Sequence, residues 1–465
     1  MSEQPQQIPA KRRCWPRRVL VVVLLFAALY SGYRYTLHRM IEAKLDGIRQ
    51  QGYPVTLAEL DKWYPQVPAG ENAADIYLQA FAKFNKWNTN SLVLKRDSLP
   101  IIGNAKLPPR TQALSNEVRS LIAEYLAANT ESLRLLHQGA SMRRCRYPVD
   151  LTSGFEAPLL HLNDVRQGAR LLALKGILRS EEGTGEAASE AIIDGLCLAR
   201  SLEQEPTLIS QLVRVACQGI ALTDLERMLN RTAASDSELS QLATSVSDAE
   251  DSQTMIRGVV GEGLNGDSVF RMSVRELTKW GCQGWLPVAL GTTNRYVVAP
   301  AIGLYRATGF IELDHLNFLS STEYYIGVCQ KPSPALLAFS KSFDNRRRNH
   351  SRWRLFSGMF LPTYGVFRNS AEGSARLGTA RIALAIERYR LAQGGLPDSL
   401  GDLIPTSLDA VPTDPFDGQP LRYKKLANGY VVYSVGENGK DDGGDETISE
   451  RTNWKPKDIT FTVER

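Results

Sequence analysis

The sequence predicts a mainly α-helical protein with a C-terminal α+β module, and three observations lead to this fold class. An apolar run follows a basic N-terminus, helical periodicity fills the middle of the chain, and a long helix with hairpin signals ends it. The chain has 465 residues, enough for two or three domains. We expect four segments: a cytoplasmic basic tail (1–18), a transmembrane signal anchor (19–37), a helical exported domain (38–365) and an α+β module (366–465).

The N-terminus combines a basic tail with the apolar run "VLVVVLLFAALYSGY", Val19 to Tyr33. This order is typical of a signal peptide or a signal anchor. The run is short for a span of about 20 residues, but Arg34 and Arg39 can extend toward the head groups. Because no small-x-small cleavage signal follows, we expect an uncleaved, single-pass anchor in a bacterial inner membrane. The basic tail places the N-terminus in the cytoplasm and the rest of the chain in the periplasm.

The charge of the chain argues against a nucleic-acid partner. The net charge is +5, and most of the excess lies before the apolar run. The remainder of the sequence is therefore nearly neutral, without the general basic surface of nucleic-acid-binding proteins. The partners that we expect are the membrane and proteins of the cell envelope.

The middle of the chain has the most regular helical pattern. Helices are predicted at about 163–180, 185–204 and 206–229, separated by Gly183 and by Pro206. Small and apolar residues recur three and four positions apart, which indicates antiparallel helical hairpins similar to repeat proteins. Further helices are expected at 237–250 and 300–345, with an irregular aromatic region at about 262–300 between them.

The last part of the chain changes character. Residues 371–392 form a strong helical pattern that stops at Gly394-Gly395. The segments "PLRYKK" and "GYVVYSV" flank Asn428-Gly429, the strongest short signal for a β-hairpin. One long helix followed by a small antiparallel sheet is therefore expected.

Several motifs of this region occur in a recognisable order. The helix ending "ERYRLAQGGLP" is followed by "LGDLIP", "VPTDPFDGQPLRY", "GYVVYSVGENG", an acidic glycine loop and "KDITF". This order resembles the C-terminal domain of the major pseudopilin of type II secretion systems. The segment "GENAADIYLQAF" of the helical region resembles uncharacterised, membrane-anchored bacterial proteins that have the same C-terminal module.

The resemblance implies a structural calcium site in the loop "YSVGENGKDDGGDE", Tyr433 to Glu446. In the family, a strand ending, an acidic glycine loop and a late Asp-Ile provide the oxygen ligands, and calcium takes six to eight of these. Asn438 stands where the family usually has Asp, and the segment before the last acid is long. The alternative is a solvated acidic turn without an ion. The matching residues here are Ser434, Val435 through its carbonyl, Asn438, Asp441, Asp442 and Asp458.

One departure from the family changes the functional prediction. A pseudopilin begins with a prepilin-peptidase site directly before its apolar helix, and nothing similar precedes Val19. A long segment also separates the apolar run from the module. We therefore expect an anchored protein that contains the module rather than a subunit of a filament, although a divergent subunit that assembles is a third alternative.

The sequence contains little catalytic chemistry. The chain has five histidines and no HExxH, GxSxG, SxxK or phosphate-binding loop. His161 and His315 lie in apolar helical contexts and are expected in the core. The basic cluster "RRRNHSRWR" at 346–354 is expected to be a solvated helix face, or else a contact for anionic lipids. The leading hypothesis is a non-enzymatic envelope scaffold, and the main rival is an envelope hydrolase with carboxylates in a cleft of the helical domain.

Overall fold

The computed structural model of the chain describes residues 15–87, 90–250, 253–283, 294–349, 356–447 and 456–465. These residues form a mostly helical protein with a small antiparallel sheet near the C-terminus, as the sequence predicts. The helices before the central bundle are α1 (Trp15–Gln50), α2 (Leu57–Trp63), α3 (Ala73–Ala82), α4 (Asn90–Asp97), α5 (Asn116–Ala127) and α6 (Thr130–Ala140). Those that follow are α7 (His161–Glu181), α8 (Gly185–Arg200), α9 (Leu208–Arg231), α10 (Asp236–Asp248), α11 (Thr254–Arg271), α12 (Val274–Gln283), α13 (Arg295–Ala307), α14 (Phe310–Cys329), α15 (Ser333–Asn349), α16 (Ser357–Phe360) and α17 (Tyr364–Gln393).

Helix α1 is one continuous helix that includes the apolar run. Its side chains from Val19 to Leu29 are exposed, and its second half packs against α14. Leu37, Ile41 and Leu45 are buried in that contact. By length and composition α1 is a candidate membrane span, and Leu208–Arg231 passes the same test but is mostly buried in the protein. The N-terminal half of α1 is therefore an exposed apolar segment that is available to a membrane.

The central helices α7, α8 and α9 each pack against the other two. A turn of three residues joins α7 to α8, and Gly183 within it has a φ of 74°, which favours glycine. Thr207 caps α9, because its hydroxyl accepts the amide of Ser210 at 3.2 Å. These three helices confirm the predicted ones to within a few residues.

The prediction of an irregular region at about 262–300 is wrong for most of its described residues. Helix α11 continues to Arg271, α12 follows it at Val274, and α13 begins at Arg295. The glycines of α11 weakened the helical pattern, but they are needed for close packing. A Cβ at Gly261 would lie 1.7 Å from the carbonyl oxygen of Pro206.

The C-terminal module consists of α17 and a three-stranded sheet of β1 (Arg422–Leu426), β2 (Gly429–Ser434) and β3 (Ile459–Glu464), in the order β1-β2-β3. Helix α17 ends where Gly394 adopts a φ of 74°. The predicted β1–β2 hairpin is present, but its two turn residues are Ala427 and Asn428, because Gly429 already belongs to β2 and pairs with Leu426. The Tyr430 hydroxyl donates to the Ala383 carbonyl at 3.1 Å, which fastens the sheet to α17.

The module shares a hydrophobic core with the central helices. Tyr430 and Phe461 of the sheet belong to the same buried cluster as Leu225 of α9 and Leu242 of α10. A second, larger cluster joins the second half of α1 to α11, α14 and the first part of α17. The C-terminal sheet is thus packed onto the helical part of the protein.

Candidate functional site

Asp414 lies in the turn that precedes the sheet, and its side chain accepts hydrogen bonds from the start of the acidic loop. Its carboxylate is fully buried, and Oδ1 accepts the Ser434 hydroxyl at 2.8 Å. Its Oδ2 accepts the Val435 amide and Nη1 of Arg422, each at 2.9 Å. Sequence reasoning missed this role because Asp414-Pro415 is also a turn signal and its partners lie about 20 residues away. Two of the six residues expected to bind calcium, Ser434 and Val435, are therefore held by Asp414.

Asp458 is the buried acid at the other end of the loop. Its Oδ2 accepts the amides of Gly444 at 2.8 Å and Asp445 at 3.3 Å. Its Oδ1 is buried and has no hydrogen-bond partner among the described residues. Burial raises the pKa of Asp458, and the charge of nearby Asp442 raises it further. This buried carboxylate oxygen has no hydrogen-bond donor among the described residues, and a bound cation would satisfy it.

The other three expected ligands lie on the exposed rim of the loop. Asp441 accepts the Tyr433 hydroxyl and the Gly443 amide, each at 3.0 Å. The Asn438 side-chain amide donates to Asp442 at 2.7 Å. The described part of the chain contains no group of three or more His, Cys, Asp or Glu side chains arranged for a metal ion. The structure thus brings the six residues into one loop region without gathering their side chains around one point.

Basic side chains already neutralise much of this acidity. Arg422 lies 2.5 Å from Asp417 and 3.4 Å from Asp441, in addition to its contact with Asp414. Lys457 lies 2.8 Å from Asp445, and this contact lowers the pKa of Asp445 to about 2. The loop therefore has ordered basic partners, so its acids do not by themselves require an ion.

A second candidate site is a cavity of about 510 Å³ beside α9. This volume is in the range of pockets for small molecules or short apolar segments. Ile101, in the loop before Leu107, has a φ of 67°, which is strained for a β-branched residue. The apolar walls come from this loop, α7 and α9: Ile101, Leu107, Pro108, Ile177, Ala216 and Ile220.

Charged residues surround one side of the cavity, where the helical part meets the module. Arg110 lies 3.3 Å from Glu226 and 2.7 Å from Glu446 of the acidic loop. Burial raises the pKa of Glu226 to about 7, against the lowering effect of Arg110. Arg376 of α17 also lines the cavity, and its side chain is exposed. The cavity therefore combines apolar walls with a carboxyl group that titrates near neutral pH.

Asp224 lies deeper in the wall of the cavity. It is buried, and neither carboxyl oxygen has a hydrogen-bond partner among the described residues. Burial raises the pKa of Asp224 well above its usual value, against the lowering effect of the nearby Arg227. A Cβ at Gly176 of α7 would lie 1.9 Å from Oδ2 of Asp224, so only glycine fits there. The sequence signal for this site was the presence of Asp224 and Arg227, three positions apart, within a strongly predicted helix.

The two histidines expected in the core are buried, and each has a carboxylate partner. His161 Nε2 lies 3.0 Å from Glu205, whose other oxygen accepts the Ser210 hydroxyl at 2.5 Å. His315 Nε2 lies 2.6 Å from Asp267. These satisfied pairs confirm core positions for both. The basic cluster at 346–354 has its side chains outside the described residues.

No family model, curated protein or solved structure matches this chain.

Proposed function

We propose that the chain is an exported, membrane-anchored binding or scaffold protein of the bacterial cell envelope, without catalytic activity. Helix α1 would hold it in the inner membrane, with the N-terminus in the cytoplasm and the helical part and the module in the periplasm. The basic tail and the exposed apolar half of α1 support this topology. A reporter fused after Arg465 tests it, since activity confined to the cytoplasm would contradict the proposal.

The observation that supports a scaffold is the way in which β3 is docked on α9. Glu226 accepts the Thr462 amide at 2.8 Å, and Asn230 accepts the Glu464 amide at 2.8 Å. The C-terminal Arg465 pairs with Glu387 of α17. An assembling subunit needs its helix and sheet free for neighbouring copies, whereas here they are covered by the same chain. This supports an anchored protein that contains the module over a filament subunit, and the link to type II secretion that we propose rests on the resemblance of the module.

The cavity beside α9 is the place where we expect a partner segment to bind, because its walls are apolar and it opens at the junction with the module. The test is affinity capture of the full-length protein from solubilised membranes, comparing wild type with Ile220→Trp. The indole would fill the cavity, so we expect envelope partners, including secretion components, to be depleted about tenfold or more. Leu160→Trp is the matched control because Leu160 is 80% exposed. Equal recovery with all three proteins would contradict the proposal.

We further propose that calcium stabilises the loop of the module. Oδ1 of Asp458, a carboxylate oxygen of Asp442 and the Val435 carbonyl would hold the ion. The Ser434 hydroxyl instead donates to Asp414, and the side-chain oxygen of Asn438 accepts the Lys440 amide. Calcium would add a positive charge beside a buried acid that has no donor. We expect the melting temperature to rise with calcium and fall with chelator, and Asp458→Asn to remove this difference. Asp409→Asn, at an exposed acid of the module, is the control. An unchanged transition together with no calcium by elemental analysis would refute the site.

An envelope hydrolase remains the second candidate, and Glu226 is the observation that favours it. Its pKa of about 7 and its position at a cavity suit a general acid or base. Purified protein incubated with peptidoglycan sacculi or phospholipid vesicles would distinguish the two functions. The scaffold proposal expects no product by mass spectrometry. Turnover that is lost in Glu226→Gln would establish the hydrolase instead.

A further inference from the structure

Helix α13 exposes an apolar stripe. Tyr296 is 75% exposed and Leu304 is 66% exposed, with Val297 and Pro300 exposed on the same face. The residues on its other face, Val298, Ile302 and Tyr305, are buried. Both faces are therefore apolar, whereas a helix at a water-facing surface is normally polar on its outer side. We call Tyr296, Val297, Pro300, Leu304 and the neighbouring Phe310 the α13 patch.

The end of α13 lies against α1 at the point where the apolar run ends. The Tyr30 hydroxyl donates to the carbonyl of Ala307. Arg34 Nη1 donates to the carbonyl of Arg306 at 2.9 Å, and a Cβ at Gly309 would lie 2.9 Å from the ring of Tyr33. The C-terminal end of α13, next to Leu304 and Phe310, therefore lies beside the end of the apolar run, at the level of the membrane surface if α1 crosses the membrane.

The free apolar part of α1 is shorter than the hydrocarbon core of a bilayer is thick. The segment Val19 to Leu29 is exposed along its length, and at ~1.5 Å per residue it extends for about 16 Å. The hydrocarbon core of a bilayer is about 30 Å thick. A bilayer around α1 must therefore thin strongly, or it must also cover the surface next to Tyr30 and Arg34. That surface includes Phe310 and Leu313, which are 37% and 42% exposed.

The polar groups at this level are compatible with immersion in the interface. Arg34 pairs with Glu312, and Arg306 donates to the carbonyls of Phe270, at 3.0 Å, and Met272. These charges are bonded within the protein rather than displayed to lipid phosphates. Tyr30, Tyr33 and Tyr35 are exposed near the end of the apolar run, as in the aromatic belts of membrane proteins.

We propose that the α13 patch inserts into the periplasmic interface of the same bilayer that α1 spans, so that a span and an interfacial helix together fix the protein on the membrane. The inference rests on the proposed anchoring by α1. The partner is the acyl and head-group boundary of phospholipids, and the attraction is apolar, so zwitterionic lipid is sufficient. The helical part and the module would then be held in a defined orientation relative to the membrane.

The test is photocrosslinking of the full-length chain in phosphatidylcholine liposomes, with benzoylphenylalanine placed at one of three positions. Position 304 tests the patch, position 25 tests the span, and position 391, a 53% exposed leucine of α17, is the control. We expect lipid adducts at 304 to exceed those at 391 by about fivefold or more, detected by intact mass. Lipid adducts at position 25, with adducts at position 304 no more abundant than at position 391, would overturn the inference about the α13 patch but not the anchoring by α1. No adduct at 25 would overturn both, and a crosslinked dimer at 304 would show a protein interface instead.

Bilayer thickness provides the second measurement. Lipids with twelve-carbon acyl chains form a bilayer with a thinner hydrocarbon core, so the apolar half of α1 alone spans a larger part of it. Adducts at 304 should then fall severalfold relative to eighteen-carbon lipids, while adducts at 25 remain constant. Signals at 304 that do not depend on chain length would contradict the mismatch on which the inference depends.

Discussion

The side-chain amide of Asn230 on α9 donates to the carbonyl of Thr462 in β3 at 2.8 Å. Its oxygen accepts the Glu464 amide from the same strand, also at 2.8 Å. Asn230 therefore completes the outer edge of β3 as a neighbouring strand would. The helical part and the module are joined by hydrogen bonds from the Asn230 side chain to the main chain of β3 as well as by apolar packing.

We predict that Asn230→Ala loosens this junction. Removing both bonds leaves a buried carbonyl and amide without partners, so the free energy of unfolding should fall by about 2–3 kcal/mol. Hydrogen exchange at Thr462 and Glu464 should accelerate more than exchange in α7. Asn116→Ala, at an exposed position of α5, is the control and should change neither quantity. Unaltered exchange in β3 would show that apolar packing alone holds the strand.

Asp414→Asn is predicted to destabilise the start of the acidic loop. The substitution keeps the size of the side chain but leaves Arg422 without its most buried carboxylate and weakens the bonds to Ser434 and Val435. A loss of about 2–4 kcal/mol is expected from urea unfolding. The exposed Asp409→Asn should stay within about 0.5 kcal/mol of wild type. An equally small effect of both variants would refute the central role of Asp414.

Glu262 of α11 should make stability fall as pH rises. Burial raises its pKa from 4.5 to about 7. Between these values the folded state holds a proton that the unfolded state has released, so the free energy of unfolding decreases across this window and levels off above it. Glu262→Gln removes the penalty, and it should stabilise the protein by about 1–3 kcal/mol near pH 8 with no gain near pH 4. Thermal unfolding at both pH values measures this.

The matched control for Glu262 is Glu186→Gln, at an exposed carboxylate in α8. Its effect should be small and should not change between acidic and alkaline pH. A gain from Glu262→Gln that is the same near pH 4 and pH 8 would show that packing, rather than ionisation, explains the stabilisation.

The sequence predicted those features that depend on local patterns. The periodicity of α7 to α9, the β1–β2 hairpin and the stop at Gly394 are all encoded within a few neighbouring residues. The structure contains each of them, with the hairpin turn one residue earlier than Asn428-Gly429. The irregular region was wrong because the glycines of α11 lower helix propensity but are required by contacts with distant residues such as Pro206.

The candidate sites depended on contacts that no local pattern contains. Asp414 accepts hydrogen bonds from residues about 20 positions away. Asp224 can be recognised as a candidate only from the structure, which shows that its buried carboxyl oxygens have no hydrogen-bond partner among the described residues. The acids of the loop could be recognised as a group, but their basic partners Arg110 and Arg422 come from other parts of the chain. Charge pairing across a fold is set by tertiary packing, which a single sequence does not specify.

Gly176 of α7 lies in close contact with the side chain of Asp224 on α9, and we predict that a larger residue at position 176 destabilises the protein. Gly176→Ala places a methyl group 1.9 Å from Oδ2 of Asp224 in the interface of α7 and α9. This overpacking should destabilise the protein by about 1–3 kcal/mol or more, despite the higher helix propensity of alanine. Adding Asp224→Ala should restore most of the loss, because the clash is with this side chain, and the double-mutant cycle measures that coupling. Gly327→Ala in α14, where nothing lies within 4 Å of the new Cβ, should instead be neutral or slightly stabilising. Additive losses from Gly176→Ala and Asp224→Ala would mean that the two residues do not limit one another's size, and that the carboxyl group of Asp224 points elsewhere in the wall of the cavity.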